Sequence, residues 1–541
     1  MRRGGGKGWF PIVLAVGLVV GVGLPAGGQA PRQGGTYQFS LGPSDPPSLD
    51  PAHVTDTTSH AVVSELFDGL VEFDPQMRLR PAIAERWEIS PDGRTYRFFL
   101  RKGVRFQNGR EVTAEDFRYS FLRVLDPKTK SERTWILDKL EGAAAFLAGR
   151  GAEVRGILVR DRYTLDLRLR EPFAPFLALL AYPAAMVVPR EAVERAIPDF
   201  SARPVGTGPF RLTEWRRDDR LVLEANPDYF RGRPHLDRIL FRIIPDDLTR
   251  LQEFRAGTLH HTDVPAGLYQ SIVADPALRR RLHSQSILGI QAVRLNVEAP
   301  PFAGNRKLRQ ALNHAVDKGA FAQVIMEGRV KPAAGILPPG MPGDSGALAG
   351  YAFDRARARQ LLAEAGFPDG KGLPPLALHY NTGLTNRRLA EFVQAQLAEV
   401  GVKVELAALD WPAYLKLVDA GQTQMHRMGW IADYPDPENF LTVLFHSRNV
   451  GARGNTSRYR NAQVDALLDQ ADRTTRETER IRLYQQAERL IVEDAPWIFL
   501  NYYSTDLLVH PAVRNLVEQL SPMDSSPTIS LVQMRLVWLA E

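Results

Sequence analysis

Between residues 305 and 406 the chain repeats one local pattern: an apolar helical stripe, a glycine, then an alternating strand. Leu308, Ala311, Leu312, Ala315 and Val316 recur at the spacing of one helix face. Asp354 is placed to cap a helix that runs through Leu361 and Leu362 and stops at Gly366. PLALHYNT follows as a strand. Leu389, Phe392, Val393, Leu397 and Val400 form a further stripe ended by Gly401, and Val402, Val404 and Leu406 alternate directly after it. Helices and strands that take turns along the chain must bury their apolar faces on one another in layers, which predicts an α/β lobe.

The flanking regions are mixed. Tyr96, Phe98 and Leu100 alternate, as do Tyr163, Leu165, Leu167 and Leu169 with polar residues between them, so both read as half-buried strands. Ile481, Tyr484, Ala487 and Ile491 mark another helix, stopped at Asp494-Ala495-Pro496, and the last forty residues read as short strands. At 541 residues, the length predicts three to four units of about 150 residues each.

The first thirty residues read as an export signal. A cationic start precedes an apolar run from Trp9 to Leu24 and small residues ending at Ala30. The alternative, an uncleaved anchor, has only sixteen residues, diluted by Gly17, Gly21 and Gly23, against the roughly 20 that span a bilayer. The chain has no cysteine, which excludes disulfides, thiolate metal sites, cysteine nucleophiles and a lipid anchor. Expected, then, is a soluble periplasmic protein released by signal cleavage and not lipid-anchored. N-terminal sequencing of protein from its host should read from close to Pro31; an intact leader on membrane-bound material would contradict this. The formal charge of +6 includes Arg2, Arg3 and Lys7. Without that segment 65 basic residues face 62 acidic ones, so no nucleic-acid partner is implied.

Catalytic motifs are missing. The sequence holds no G-x-S-x-G, H-E-x-x-H, Walker A loop or helix-opening G-x-G-x-x-G. VGTGPF (205–210) reads as a turn feeding a strand. His260 and His261 near Asp263 make a poor metal trio, because neighbours on a strand point to opposite faces. No catalytic residue, metal or cofactor is expected, and the chain reads as a binding protein rather than an enzyme.

The densest unusual cluster is His426–Pro437, HRMGWIADYPDP. If it is extended, Arg427, Gly429, Ile431 and Asp433 share one face. That face offers a cation, bare backbone, an apolar side chain and an anion. A short peptide, zwitterionic and extended, needs opposite charges at its two ends and can pair its backbone as an added strand. Spacing alone favours ordinary salt bridges for Arg427 and Asp433 and a core position for Trp430.

Several blocks resemble the oligopeptide- and dipeptide-binding proteins of bacterial ABC importers, the extracytoplasmic solute-binding family 5. They are DPPSLDP with ELFDGL, LRKGVRFQNGREVTAEDFRYSFLRVLDP, PVGTGPFRLTEW with EANPDYF, LNVEAPPFAGNRKLRQALNHAVDK, and GWIADYPDPENF, in that order. The resemblance implies a two-lobed periplasmic-binding-protein fold, with hinge strands near Gly289 and Tyr503 and an additional inserted α+β domain. By that likeness lobe I is 34–67, 190–289 and 505–541, the inserted domain II is 68–189, and lobe III is 290–504. It further implies that Asp433 holds a peptide's amino terminus and Arg427 a short ligand's carboxylate. Gly429, Trp430 and Ile431 lie along the ligand, and Trp411 and Tyr503 line side-chain pockets. Val418 and Asn386 stand where relatives place Arg and His as other carboxylate partners, so chain-length preference is expected to differ. The implied partners are short peptides and ABC permease subunits, and the implied state is a monomer; a sugar, nickel chelate or haem is the alternative ligand, and an extracellular hydrolase the other class. Family-type closure on a ligand should lower the radius of gyration in solution scattering, and identical curves at saturation would count against it.

Overall fold

The computed structural model describes residues 30–196, 199–265, 267–523 and 532–540. The expected leader, residues 1–29, lies outside them. Two compact units form where length alone counted three or four: Met1–His283 with Leu507–Glu541, and Ser284–Asp506. The chain leaves the first unit within the strand Leu282–Leu295 and returns to it within Trp497–Val509. Those passages, at His283–Ser284 and Asp506–Leu507, stand a few residues from Gly289 and Tyr503.

In the first unit, one set of strands runs in the order His261–Asp263, Thr36–Gly42, Arg238–Ile243, Arg220–Ala225, Phe210–Arg216. A separate sheet joins Ala84–Ile89, Thr95–Leu100, Thr164–Arg168 and Ile157–Asp161. The alternating segments at Tyr96–Leu100 and Leu165–Leu167 pair with one another there, Tyr96 opposite Leu167. The turn before Phe210 does feed a strand. The two histidines do not point apart as alternation predicted. His261 accepts or donates at 2.7 Å to the Tyr37 hydroxyl, and the His260 ring stacks on Tyr37 at 5.1 Å. His260 precedes the strand, which begins at His261, so the period of two does not yet apply to it.

The second unit is the α/β layer that the repeated pattern predicted. Its helices include Arg306–Ala315, Arg355–Glu364, Leu384–Ala398 and Glu477–Asp494, and its strands include Leu376–Asn381 and Val404–Leu409. Local chemistry fixes the helix starts: the Asn305 side chain accepts from the Leu308 amide at 3.1 Å, and Asp354 from the Arg357 amide at 2.8 Å. Strand order is Val404–Leu409, Leu376–Asn381, Met425–Ile431, Leu282–Leu295, Trp497–Val509. The first two pairings are parallel and the third antiparallel. Leu308, Leu312, Leu361, Leu389, Val393 and Leu397 bury their helical stripes against Val293, Leu376, Leu378 and Met425. Each such side chain, fully buried, contributes about 1.5–3 kcal/mol, so the sheet beneath the candidate site is a rigid floor.

Candidate functional site

Three adjacent strands of the second unit build the site, and register decides what meets. Met425–Ile431 runs antiparallel to Leu282–Leu295, with Leu295 opposite Met425, Val293 opposite Arg427, Gln291 opposite Gly429 and Gly289 opposite Ile431. Directly opposed residues share a face. That face starts in the hydrophobic core at Leu295, Met425 and Val293 and turns polar two residues later.

Tyr503, from the third strand, lies over the two glycines. A Cβ at Gly289 would come within 2.7 Å of the Tyr503 ring, and one at Gly429 would overlap its hydroxyl outright. Only bare backbone admits the ring. Gln291 then ties the cluster together. Its Oε1 accepts from the Tyr503 hydroxyl and from Arg427 Nη2 at 2.9 Å, while Arg427 Nη1 donates to Asn381 Oδ1 at 3.3 Å. The Tyr414 hydroxyl donates to the Arg427 carbonyl, pinning the strand from below. Burial pushes the Tyr503 phenol up, and the Arg427 guanidinium partly opposes that.

The guanidinium's partners are all neutral. No carboxylate of the described residues lies within salt-bridge distance of Arg427, and its Nε is buried without an acceptor. A second guanidinium, Arg294, is fully buried nearby. It donates to the Gly454 carbonyl at 3.1 Å and Thr456 Oγ1 at 2.9 Å and stacks over Trp497 at 4.5 Å. Burial lowers its pKa from the usual arginine value to about 9. His426, between Thr423 and Thr456, is held neutral by the same burial and by the Arg294 charge. Two cations without counter-charges make this end of the strand attractive to an anion.

The other end is organised by Asn439 at the start of the helix Glu438–Phe445. Its Oδ1 accepts from Trp430 Nε1 at 3.1 Å and from the Asp433 amide at 2.9 Å, and its Nδ2 donates to Asp433 Oδ2 at 3.3 Å. One side chain thus clips the turn and aims the half-buried carboxylate. Asp433 lies two residues past the strand's end at Ile431, so this clip and not strand alternation sets its direction. The neighbouring Asp436 is neutralised by two bonds from Arg480, at 2.7 and 2.8 Å.

Arg427, Gly429 and Tyr503 therefore gather around Gln291, Ile431 lies opposite Gly289, and Trp430 and Asp433 gather around Asn439. Trp411 is 46% exposed and stacks on the buried Tyr414 at 5.8 Å, which links it to the Arg427 carbonyl. Val418 is buried on the helix Trp411–Asp419 and offers no polar group. Asn386 donates to the carbonyl of Asn381, the residue that accepts from Arg427. Gln291, Arg294, Asn381, Tyr414 and Asn439 were not singled out in the sequence. Of these only Arg294 and Gln291 carried a local signal, as polar residues inside an otherwise apolar strand, LGIQAVRL.

Among the described residues no helix is long and apolar enough to cross a membrane. Comparison with known proteins gives a consistent answer across the chain. The sequence profile of the bacterial extracellular solute-binding proteins, family 5 (middle region), matches residues 78–452. Heme-binding protein A of Haemophilus influenzae is 33% identical over 495 residues, 87% of this chain and 88% of that protein. The oligopeptide-binding protein OppA of Bacillus subtilis is 30% identical over 514 residues, 92% of each. The unliganded open form of MppA, a periplasmic murein tripeptide-binding protein, superposes with a TM-score of 0.80 at 26% identity, covering 94% of this chain and 98% of that one. These relatives are named as binding proteins, and the fold is the α/β fold of two-lobed periplasmic binding proteins. The chain belongs to the bacterial extracellular solute-binding proteins, family 5.

Proposed function

We propose that this protein is an exported receptor that captures short peptides and delivers them to the permease subunits of an ABC importer. The observation that carries the reading is the Arg427 guanidinium, held only by neutral groups on a strand whose backbone is bare at Gly429. A ligand carboxylate supplies the charge that these partners do not. Asp433, aimed by Asn439, offers the opposite charge for an α-amino group. Between them the edge of Gly429–Ile431 is suited to backbone pairing, with Trp411 and Tyr503 beside the ligand's side chains. On this reading the leader is cleaved near Ala30, no lipid is attached, and the receptor works as a monomer. On the same reading lobe I is 34–67, 190–289 and 505–541, the inserted domain II is 68–189, and lobe III is 290–504. Mass spectrometry of small molecules released from the purified, denatured protein tests the proposal: peptides of a few residues are expected, intact.

A second reading is supported by the likeness to Heme-binding protein A, a relative named for a non-peptide ligand. Under it the same face takes the carboxylates of haem. Released porphyrin in place of peptide, recognised by its absorption, would favour that reading.

A further inference from the structure

A second cationic site lies elsewhere in the same unit. Lys318 follows the helix Arg306–Ala315 and is only 6% exposed. It forms part of the wall of a cavity of about 280 Å³ together with Pro332, Ala333, Ala334, Tyr351 and Phe353. That volume is near the lower end of the roughly 300–1,000 Å³ of small-molecule sites. The Lys318 ammonium has two contacts, both with this wall: the Ala333 carbonyl at 3.5 Å and the Tyr351 ring at 5.7 Å. No carboxylate of the described residues pairs with it.

The titratable groups around it are committed elsewhere. Asp317 accepts from the Ala320 amide at 2.9 Å, and Glu488 from the Ile336 and Leu337 amides at 2.8 Å. The Tyr351 hydroxyl donates to the Val492 carbonyl at 2.7 Å, and His314 Nδ1 meets the Ala352 carbonyl at 2.8 Å. Arg355 stands over the Phe353 ring at 5.3 Å, adding positive charge at the rim. A buried charge without a counter-charge is costly, and here the cost shows as a Lys318 pKa lowered by burial from the usual lysine value to about 8. Apart from Asp317, whose carboxylate also lines the cavity and is taken up by the Ala320 amide, the remaining walls are small and apolar or aromatic, and Phe353 is 40% exposed.

We propose that this cavity is an anion site distinct from the Arg427 strand, taking a small carboxylate with an aromatic or otherwise apolar body that pairs with the Lys318 ammonium. The carboxylate supplies the missing counter-charge, and the body covers Phe353 and Tyr351. Pairing favours the charged amine, so its pKa rises on binding. Below pH 8 the amine is already protonated and binding takes up little; above pH 8 each ligand bound brings in up to one proton.

Calorimetric titration of the full chain with benzoate, and with benzyl alcohol as the uncharged match in size, tests this. Benzoate is expected to bind at least tenfold more tightly than the alcohol. Titrations at pH 9 in two buffers of different ionisation heat should show proton uptake, and at pH 6.5 almost none. Lys318→Met, which keeps the stem and removes the charge, should bring benzoate down to the alcohol's level. Saturable benzoate binding that survives Lys318→Met, or that takes up no proton at pH 9, would overturn the proposal. So would the absence of saturable binding to the unaltered protein at millimolar benzoate.

Discussion

Asp433→Asn is expected to cost a free-amino peptide roughly two to four decades of affinity, while the fold survives. The carboxamide still accepts from Asn439 Nδ2, so the clip that holds the turn remains. What disappears is the anion facing the ligand's ammonium. Once the ligand covers the site, an ammonium that has lost its carboxylate keeps its desolvation cost without compensation. Breaking such a pair typically costs about 3–5 kcal/mol, and each 1.4 kcal/mol is about tenfold in affinity. Acetylating the peptide's amino group removes the same interaction from the other side. It should therefore weaken binding to the unaltered protein strongly and to the variant hardly at all. Calorimetry with both proteins and both peptides closes the cycle. Equal losses on acetylation would show that Asp433 is not the amino-terminal anchor.

Gly429→Ala is expected to lower the unfolding free energy of the ligand-free protein by about 1–3 kcal/mol, the usual cost of overpacking. The added methyl would occupy the place of the Tyr503 hydroxyl and would stand 3.0 Å from Gln291 Oε1. Tyr503 must shift, which breaks its bond to Gln291 and loosens the acceptor that positions Arg427. Tyr503→Phe alone loses that hydrogen bond, worth about 1 kcal/mol. Combined with Gly429→Ala it also removes the atom in closest conflict, so the double variant should be more stable than the two losses added together. The relief is partial, because the ring carbon that bears the hydroxyl still stands 3.0 Å from the added methyl. Chemical denaturation of the four proteins measures the coupling. Strict additivity would mean that Tyr503 is not what reserves position 429 for glycine.

These two predictions differ in how far the sequence reached. Asp433 and Arg427 were legible as an anion and a cation bracketing a glycine in an unusual aromatic and proline cluster. Gln291 was not, although it holds both Arg427 and Tyr503. The same is true of Asn439, which aims Asp433 from six residues further on through a turn that no periodicity describes. Where sequence periodicity was extended past a strand's end it lost its basis: His260 lies before its strand and Asp433 two residues beyond the end of its own.

By itself the sequence determined what is local. Apolar spacing fixed the helices at 306–315, 355–364 and 384–398 and the strands at 376–381 and 404–409, because side chains three or four apart on a helix, or two apart on a strand, must share a face. Capping residues fixed the beginnings of the first two helices, and the glycine at 429 already marked a stretch of bare backbone. Tertiary structure alone decided which strand lies beside which, and in what register. Gln291 meets Arg427 across 136 residues and Tyr503 across 212. Such a pairing is specified by burying one face of a sheet as a whole, and a shift of one residue would send Gln291 and Gly429 to opposite faces. No window of sequence short enough to read contains that information, so the charges of the site were visible in the chain while the neutral groups that hold them were settled only by the fold.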